Sequence, residues 1–153
     1  MVFRTEKGTF NYRVAGVWIV HKHVLLHKDV NDTNWSLPGG RVKLGEESEA
    51  ALIREFQEEL NLDIRVHRMN WIIENFFTYK EKNFHEIGLY YRVSSDRNIP
   101  IDKQGAFYGV EGERLIYKWI PIDMLNEIEL YPQCLKSAIK EIPAHTEHLV
   151  ERQ

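Results

Sequence analysis

Residues Gly40–Leu62 have the sequence GRVKLGEESEAALIREFQEELNL, which predicts a loop followed by a helix. Between Glu47 and Leu60, apolar residues recur at helical spacing, whereas acidic residues fall together on another face. We therefore predict a helix with one buried side and one acidic side. The apolar residues of this pattern are Ala51, Leu52, Ile53, Phe56 and Leu60.

Three glutamates give the predicted helix its acidic face. Glu55 and Glu59 are four residues apart and Glu58 is three beyond Glu55, so the three carboxylates project from one face. Like charges at this spacing repel one another, and a hard divalent cation reverses the sign of that interaction. Ligation by oxygen alone suits Mg²⁺ or Mn²⁺. The plainer alternative is a solvated acidic helix face.

The segment before the helix ends in two glycines, which have no side chain. The sequence WSLPGG ends at Gly40, and its glycines can bend sharply and bring backbone close to a metal or phosphate. Gly39 is therefore our candidate for a carbonyl ligand. Arg54 adjoins Glu55 and lies eight residues beyond Glu46, which favours charge-assisted bonds that hold a carboxylate in place.

Taken together, Gly40, Glu46 and the run from Arg54 to Leu62 resemble the signature of the Nudix family. Eight of its nine fixed positions match, which average residue usage gives on the order of 10⁻⁸ times per starting position. The departure is Asn61, where the family usually has glycine at a left-handed helix end, and Asn is the next most tolerant residue there. The sequence WIPID, ending at Asp123, resembles the family's late strand, so the resemblance covers roughly Val14 to Ile142.

This resemblance implies an α/β (α+β) fold, a Nudix-like α/β/α sandwich with a mixed β-sheet between helices, in a single domain of residues 1–153. It implies an enzyme, a hydrolase dependent on Mg²⁺ or Mn²⁺. The bond cut would be the pyrophosphate bond of a nucleoside diphosphate linked to another moiety, such as a nucleotide sugar, ADP-ribose or a nucleoside triphosphate. Transferred to this chain, the metal ligands are Gly39, Glu55, Glu58 and Glu59, and Arg54 and Glu46 orient the carboxylates.

The general base stays open among three residues, because family members place it either in the signature or on a distant loop. Glu55, Glu111 and Glu113 compete for this role or, for the last two, for that of an extra ligand. Ordinary polar loop residues are the simpler interpretation of Glu111 and Glu113. No substrate-binding residue is predicted.

Two other functions compete with the hydrolase. One is a catalytically silent Nudix-like domain that binds or senses a nucleotide, since a fold does not guarantee activity; the intact acidic trio argues against it. The other is a Nudix-fold isomerase or a nucleic-acid cap hydrolase, which neither chain length nor a basic stripe supports. A homodimer is an assembly common among relatives.

Length and composition narrow the class of protein. The 153 residues, 43% apolar and 28% charged, fit one globular domain. The net charge of −3 favours no nucleic-acid polymer, so a small nucleotide is the expected partner. No segment has the length of a signal peptide core or a membrane span, and with Cys134 as the sole cysteine we expect a soluble protein of the reducing cytoplasm.

Hydrophobic patterning predicts the other elements. We expect a hairpin, several strands, a long loop around a short edge segment and a C-terminal helix pattern ended by Pro143. In chain order these are Val14–Val20 with Val24–His27, Ile64–Val66, Met69–Asn75, Ile87–Val93 after a turn at Lys80–Asn83, the loop Ser94–Glu113, Leu115–Pro121 and Cys134–Ile142.

Several side chains have a structural and a functional interpretation. His85 and Glu86 can contact substrate, but an exposed pair at a strand edge is the expected role. Cys134 falls on the apolar side of its helix pattern, which predicts a buried and unreactive thiol. A further group of aromatic residues can stack on a base, although most are expected in the core: Trp18, Phe76, Phe77, Tyr79, Tyr90 and Phe107.

Overall fold

The computed structural model describes residues 1–97 and 105–153. Within these ranges, nine strands and three helical segments form a mixed α+β fold, as predicted. The strands are β1 Val2–Thr5, β2 Gly8–Val20, β3 His23–Asp29, β4 Gly39–Arg41, β5 Arg65–Tyr79, β6 Lys82–Ser94, β7 Phe107–Tyr108, β8 Leu115–Pro121 and β9 Glu147–Arg152. The helical segments are α1 Ser48–Leu60, a 3-10 helix Ile122–Glu127 and α2 Leu135–Ala138.

The sheet is organised around β2, which changes partners along its length. In the described residues the strand order is β7-β8-β3-β2-β6-β5-β9, and β1 and β4 also pair with β2. The β2–β6 and β5–β9 pairs are parallel and the other pairs are antiparallel. The predicted mixed sheet is therefore confirmed.

The predicted first hairpin is confirmed and is longer than expected. It joins β2 to β3 through His21 and Lys22, whose φ angles of 48° and 61° match the twist of a two-residue hairpin turn. Only two residue pairs link these strands, Ile19 with Val24 and Val20 with His23. Beyond them β3 leaves β2 and pairs along its whole length with β8.

The second hairpin merges two predicted strands into one. Ile64–Val66 and Met69–Asn75 were expected to be separate, but β5 runs through both, with register shifts around Met69. Such irregularities bend a strand without ending it. The turn predicted at Lys80–Asn83 is present but shorter: Lys80 and Glu81 have positive φ angles, and β6 already begins at Lys82.

Helices cover both faces of the sheet. One core cluster packs the apolar side of α1 against residues such as Trp18 and Leu25, and a second packs the 3-10 helix and α2 against residues such as Val17 and Leu26. Because successive residues of a strand face opposite sides, Trp18 and Val17 of β2 mark the two faces. The arrangement of a sheet between helices is confirmed.

Some local predictions are wrong. Ile53 belongs to the apolar pattern of α1 but is 43% exposed, because it lies at the margin of the buried stripe. The C-terminal helix covers only four of the residues expected between Cys134 and Ile142. After α2, the backbone N–H groups of Lys140 and Glu141 donate to the carbonyls three residues earlier. The helix therefore tightens into turns before Pro143.

The predicted loop Ser94–Glu113 contains the expected edge segment, which is β7. Its central residues 98–104 lie outside the described part. β1, β9 and the 3-10 helix were not predicted, and neither was β4, which occupies Gly39–Arg41 where a loop was expected. In the described ranges, no helix combines the length and apolar character needed to cross a bilayer.

Candidate active site

The helix α1 ends where the sequence predicted a left-handed residue. Asn61 has φ 52° and ψ 42°, and its N–H donates to the carbonyl of Gln57 while Leu62 donates to that of Phe56. The bond from Asn61 to Gln57 is the one made by a left-handed helix end, a position usually taken by glycine and here by asparagine. The departure from the family signature therefore leaves the backbone geometry intact.

Arg54 is the hub of the acidic face. Its Nε and Nη2 donate to the two carboxylate oxygens of Glu46 at 2.8 and 2.9 Å, a bidentate pair. Its Nη1 donates to Glu55 at 2.9 Å and to Glu58 at 3.2 Å. One guanidinium thus fixes three carboxylates, and Nη2 also donates to the carbonyl of Arg41.

This network changes the ionisation of Glu46. The hydrogen bonds from Arg54 lower the pKa of Glu46 to about 2, aided by a bond from the backbone N–H of Lys43. Glu46 is therefore ionised throughout the neutral range, and its charge keeps Arg54 in place beside Glu55.

Glu59 has a different environment from its neighbours. Its side chain is buried, and its Oε2 accepts a 2.8 Å hydrogen bond from the hydroxyl of Tyr117 on β8. Burial raises the pKa of Glu59 to about 7; the Tyr117 hydrogen bond opposes this shift, and the charges of Glu55 and Glu111 add to it. A carboxyl with this pKa gains strongly from a nearby cation.

Gly39 and Gly40 lie on β4 beside β2, where larger residues do not fit. A Cβ on Gly39 would lie 2.0 Å from the carbonyl oxygen of Val14, and a Cβ on Gly40 would lie 2.4–2.6 Å from the carboxylate of Glu55. The carboxylate of Glu55 therefore rests directly against the backbone of Gly40.

The ladder between β4 and β2 also determines the direction of the Gly39 carbonyl. Gly16 donates to Pro38 and Val42 to Tyr12, so the hydrogen-bonded pair between them is Val14 with Gly40. Hydrogen-bonded and non-bonded pairs alternate in an antiparallel ladder. The carbonyl of Gly39 consequently points away from β2.

The two loop glutamates are placed differently. Glu111 lines a cavity of about 50 Å³ together with Glu59, Arg114 and Tyr117, whereas Glu113 does not line it. The turn that carries Glu111 packs against the end of α1, where the N–H of Val110 donates to the carbonyl of Glu59 at 2.8 Å. Glu111 is therefore the loop carboxylate next to the acidic helix.

The residues present fit a divalent cation. The donor set consists of carboxylate and backbone carbonyl oxygens, the ligands that Mg²⁺ and Mn²⁺ prefer, and the Glu55 carboxylate lies directly against the glycine backbone. No three acidic, His or Cys side chains of the described residues already converge on one point. Arg54 holds Glu55 and Glu58, while Tyr117 holds Glu59, which separates carboxylates that otherwise repel.

Reasoning from the sequence missed a cavity on the opposite face of the sheet from α1. It has a volume of about 260 Å³ and is lined by residues that include Arg13, Leu37, Asn75 and Glu86. The expectation that Glu86 is exposed is wrong: it is 9% exposed, and only His85 faces water. The sequence signal that could have revealed this position is the charged residue Glu86 within the alternating pattern of β6.

The other side chains with two interpretations are mostly structural. Trp18 and Tyr90 are buried, and Cys134 is half-buried, with its thiol pKa raised by burial to about 12. Phe76 stacks on His85 with ring centroids 4.4 Å apart. Phe77, Tyr79 and Phe107 are half-buried.

Comparison with solved structures places this fold among known enzymes. A UDP-X diphosphatase superimposes with a TM-score of 0.61 and 15% identity over 95% of this chain and 69% of that one. A MutT mutator protein from Bacillus halodurans gives a TM-score of 0.62 and 15% identity, covering 90% and 89%. An ADP-ribose pyrophosphatase from Streptococcus suis gives a TM-score of 0.54 and 17% identity over 92% of this chain and 98% of that one. Because the sequence identities are only 15–17%, these similarities establish the fold alone.

The family follows from the sequence itself. The model of the NUDIX domain matches residues 10–141, so the chain belongs to this family and is a Nudix hydrolase. Members of the family generally use divalent metals and act on pyrophosphate bonds in small nucleotide-derived substrates. A search of the curated proteins finds no match to the chain.

Proposed function

We propose that this protein hydrolyses the pyrophosphate bond of a nucleoside diphosphate linked to another moiety, with Mg²⁺ or Mn²⁺ held by Glu55, Glu58, Glu59 and the carbonyl of Gly39. The observation that carries the proposal is the Arg54 hub, which fixes Glu46, Glu55 and Glu58 beside the glycine backbone. Ligands that are all oxygen atoms suit a hard cation, and Mg²⁺ is commonly bound by one or two carboxylates together with substrate phosphates.

Each residue of the site has a defined task in this proposal. A cation bound there neutralises the charge of the diphosphate and lowers the pKa of the attacking water. Arg54 and Glu46 keep the ligand carboxylates in position, and Tyr117 positions Glu59 from the neighbouring strand. Glu111 is better placed than Glu113 to accept a proton, because it lies beside Glu59.

The test is a matched pair of substitutions on α1. Glu59→Gln removes one ligand charge while keeping the shape of the side chain, so we expect weaker Mn²⁺ binding and a turnover number lower by about two or more orders of magnitude. Glu49→Gln changes an exposed residue in the first turn of the same helix and should leave both quantities unchanged.

Calorimetric Mn²⁺ titration and product analysis with nucleoside diphosphate derivatives measure the two effects, and circular dichroism verifies the fold. Near-normal turnover by a folded Glu59→Gln protein would contradict the metal assignment. Because Glu49→Gln makes the same charge change, it separates the loss of a ligand from a general loss of negative charge.

A further inference from the structure

Glu59 lies in the last turn of α1, and a distant element completes the helix at this residue. The last four carbonyl groups of an α-helix have no donor within the helix. In α1 the carbonyl of Gln57 accepts from Asn61, whereas that of Glu59 accepts at 2.8 Å from the N–H of Val110, in the turn between β7 and β8. The main chain of Glu59 is therefore held by the β7–β8 hairpin.

Gly109 allows this turn to lie directly against the end of α1. A Cβ on Gly109 would lie 2.5 Å from the carbonyl oxygen of Glu59 and 3.0 Å from Cε2 of Tyr117. The first of these atoms belongs to the helix backbone, so it cannot move aside as the end of a flexible side chain can. Gly109 has no positive φ angle. Its requirement for glycine is consequently steric.

The side chain of Glu59 is held by the same hairpin. The hydroxyl of Tyr117 on β8 donates to Glu59 Oε2 at 2.8 Å, and both side chains are buried. Among the described residues, no second group donates to this carboxylate, and Glu59 lines the small cavity that also contains Glu111. Tyr117 therefore fixes one carboxylate oxygen and leaves the other available.

The ring of Tyr117 is fixed by the sheet and does not depend on Glu59. In the strand register, Tyr117 lies opposite His27 of β3 on one side and opposite Phe107 of β7 on the other. The ring centroids are 5.4 Å and 5.7 Å from that of Tyr117. Directly opposed aromatic side chains of neighbouring strands stabilise each other. This row of rings directs the Tyr117 hydroxyl towards the end of α1.

We propose that Tyr117 and Gly109 are positioning residues that hold Glu59 ready for the cation; this inference rests on the proposed function, in which Glu59 is a metal ligand. The hairpin restrains Glu59 at its carbonyl and at Oε2, so its Oε1 is presented to the site without a search among side-chain conformations. Groups that hydrogen-bond a metal ligand commonly contribute about 10- to 100-fold to metal affinity or activity.

A purely structural interpretation of the same bond gives a different expectation. A buried tyrosine hydroxyl needs a hydrogen-bond partner, and Glu59 could serve only to supply it. Tyr117→Phe would then remove the donor together with its requirement, and metal affinity would not change. The two interpretations therefore differ in the affinity for the cation.

The test is Mn²⁺ binding by the substrate-free protein, measured by calorimetry. Tyr117→Phe keeps the ring and removes the hydroxyl, so we expect Mn²⁺ binding to weaken by about 10-fold or more. Gly109→Ala forces the turn away from Glu59 and should also weaken binding. Tyr91→Phe is the control, because Tyr91 is buried and its hydroxyl bonds Ser48 at the start of the same helix at 2.8 Å. That variant should keep its Mn²⁺ affinity.

The metal dependence of turnover separates weaker metal binding from a damaged fold. In Tyr117→Phe, the Mn²⁺ concentration that gives half-maximal turnover should rise by the same factor as the Kd for Mn²⁺. Saturating Mn²⁺ should restore the turnover number, because the ligand itself is still present. A structural defect would not be corrected by metal, and urea unfolding verifies that each variant folds.

A folded Tyr117→Phe protein with unchanged Mn²⁺ affinity would overturn the proposal, and so would an equal loss of affinity in Tyr91→Phe. If Gly109→Ala does not fold, Tyr117→Phe decides, because it keeps the shape of the core. Mn²⁺ binding that depends on Tyr117, without hydrolysis of any nucleoside diphosphate derivative, supports the positioning role and contradicts the hydrolase. Hydrolysis with a Mn²⁺ affinity that is independent of Tyr117 does the reverse, and undetectable Mn²⁺ binding contradicts both.

Discussion

Gly40 is the residue at which the shape of the site depends most directly on the absence of a side chain. A Cβ there would lie 2.4 Å from the carboxyl carbon of Glu55, so an added methyl group must displace that carboxylate. The φ angle of Gly40 is not positive, and an alanine backbone is therefore not strained by its conformation. The requirement for glycine is steric.

We predict that Gly40→Ala lowers turnover by about 10- to 100-fold, the usual cost of disturbing the support of a metal ligand. Gly45→Ala is the control, because a Cβ there meets no atom within 4 Å although the φ angle is +80°. That variant should lose about 1–2 kcal/mol of unfolding free energy from strain and keep its turnover. Equal turnover in the two variants would contradict the steric role of Gly40.

His27 makes the stability of the fold depend on pH. Burial, reinforced by the charges of Arg13 and Arg114, lowers the pKa of His27 from 6.5 to about 3 in the folded protein. Between these values the unfolded chain binds a proton that the folded chain does not. The free energy of unfolding should therefore decrease as pH falls from 6.5 towards 3, by up to about 1.4 kcal/mol per pH unit from this group.

Urea unfolding at a series of pH values measures this dependence. His27→Gln removes the titrating group, so its unfolding free energy should vary less steeply over the same interval. His145→Gln removes an exposed imidazole and should keep the steeper dependence. If the unaltered protein and His27→Gln gave parallel curves, the assignment of this pH dependence to His27 would be wrong.

At the scale of elements, the end of α1 tests how the chain replaces the usual glycine. Asn61→Ala places a side chain with no polar group in the left-handed conformation and removes the 2.8 Å bond from Gln57 to Asn61 Oδ1. We predict a loss of about 1 kcal/mol in unfolding free energy, whereas Asn61→Gly should stay within about 0.5 kcal/mol of the unaltered protein. Thermal and urea unfolding compare the three proteins, and equal stability of the alanine and glycine variants would contradict a left-handed end.

Elements with strong local patterns could be predicted from the sequence. β8 has the predicted bounds because its mostly apolar run begins directly after the polar segment that ends at Arg114 and closes at Pro121, and α1 starts one residue from the expected position. β9 could not be predicted, since its sequence EHLVER is mostly exposed and its strand conformation comes from pairing with β5. The C-terminal helix was predicted too long, because apolar spacing does not distinguish a helix from successive tight turns.

At the scale of the whole molecule, the candidate site also combines contacts between residues close in sequence with contacts between distant residues. The acidic helix and its arginine hub are local, so the spacing of Glu46, Arg54 and Glu55 was enough to predict their contacts. The bond from Tyr117 to Glu59 joins residues 58 positions apart, and the bond from Asn11 to Glu86 spans 75. These contacts depend on strand order and register, which hydrophobic patterns do not determine.

The proposed reaction requires the acidic helix to hold a divalent cation beside the diphosphate that is cut. The most direct measurement is incubation of the purified protein with nucleoside diphosphate derivatives and Mg²⁺ or Mn²⁺ in heavy-oxygen water, followed by mass analysis of the products. We predict cleavage between two phosphorus atoms, one heavy oxygen in one product, loss of activity with a chelator and recovery when metal is restored. Metal-independent cleavage, or binding of both metal and nucleotide without turnover of any derivative, would contradict a metal-dependent hydrolase.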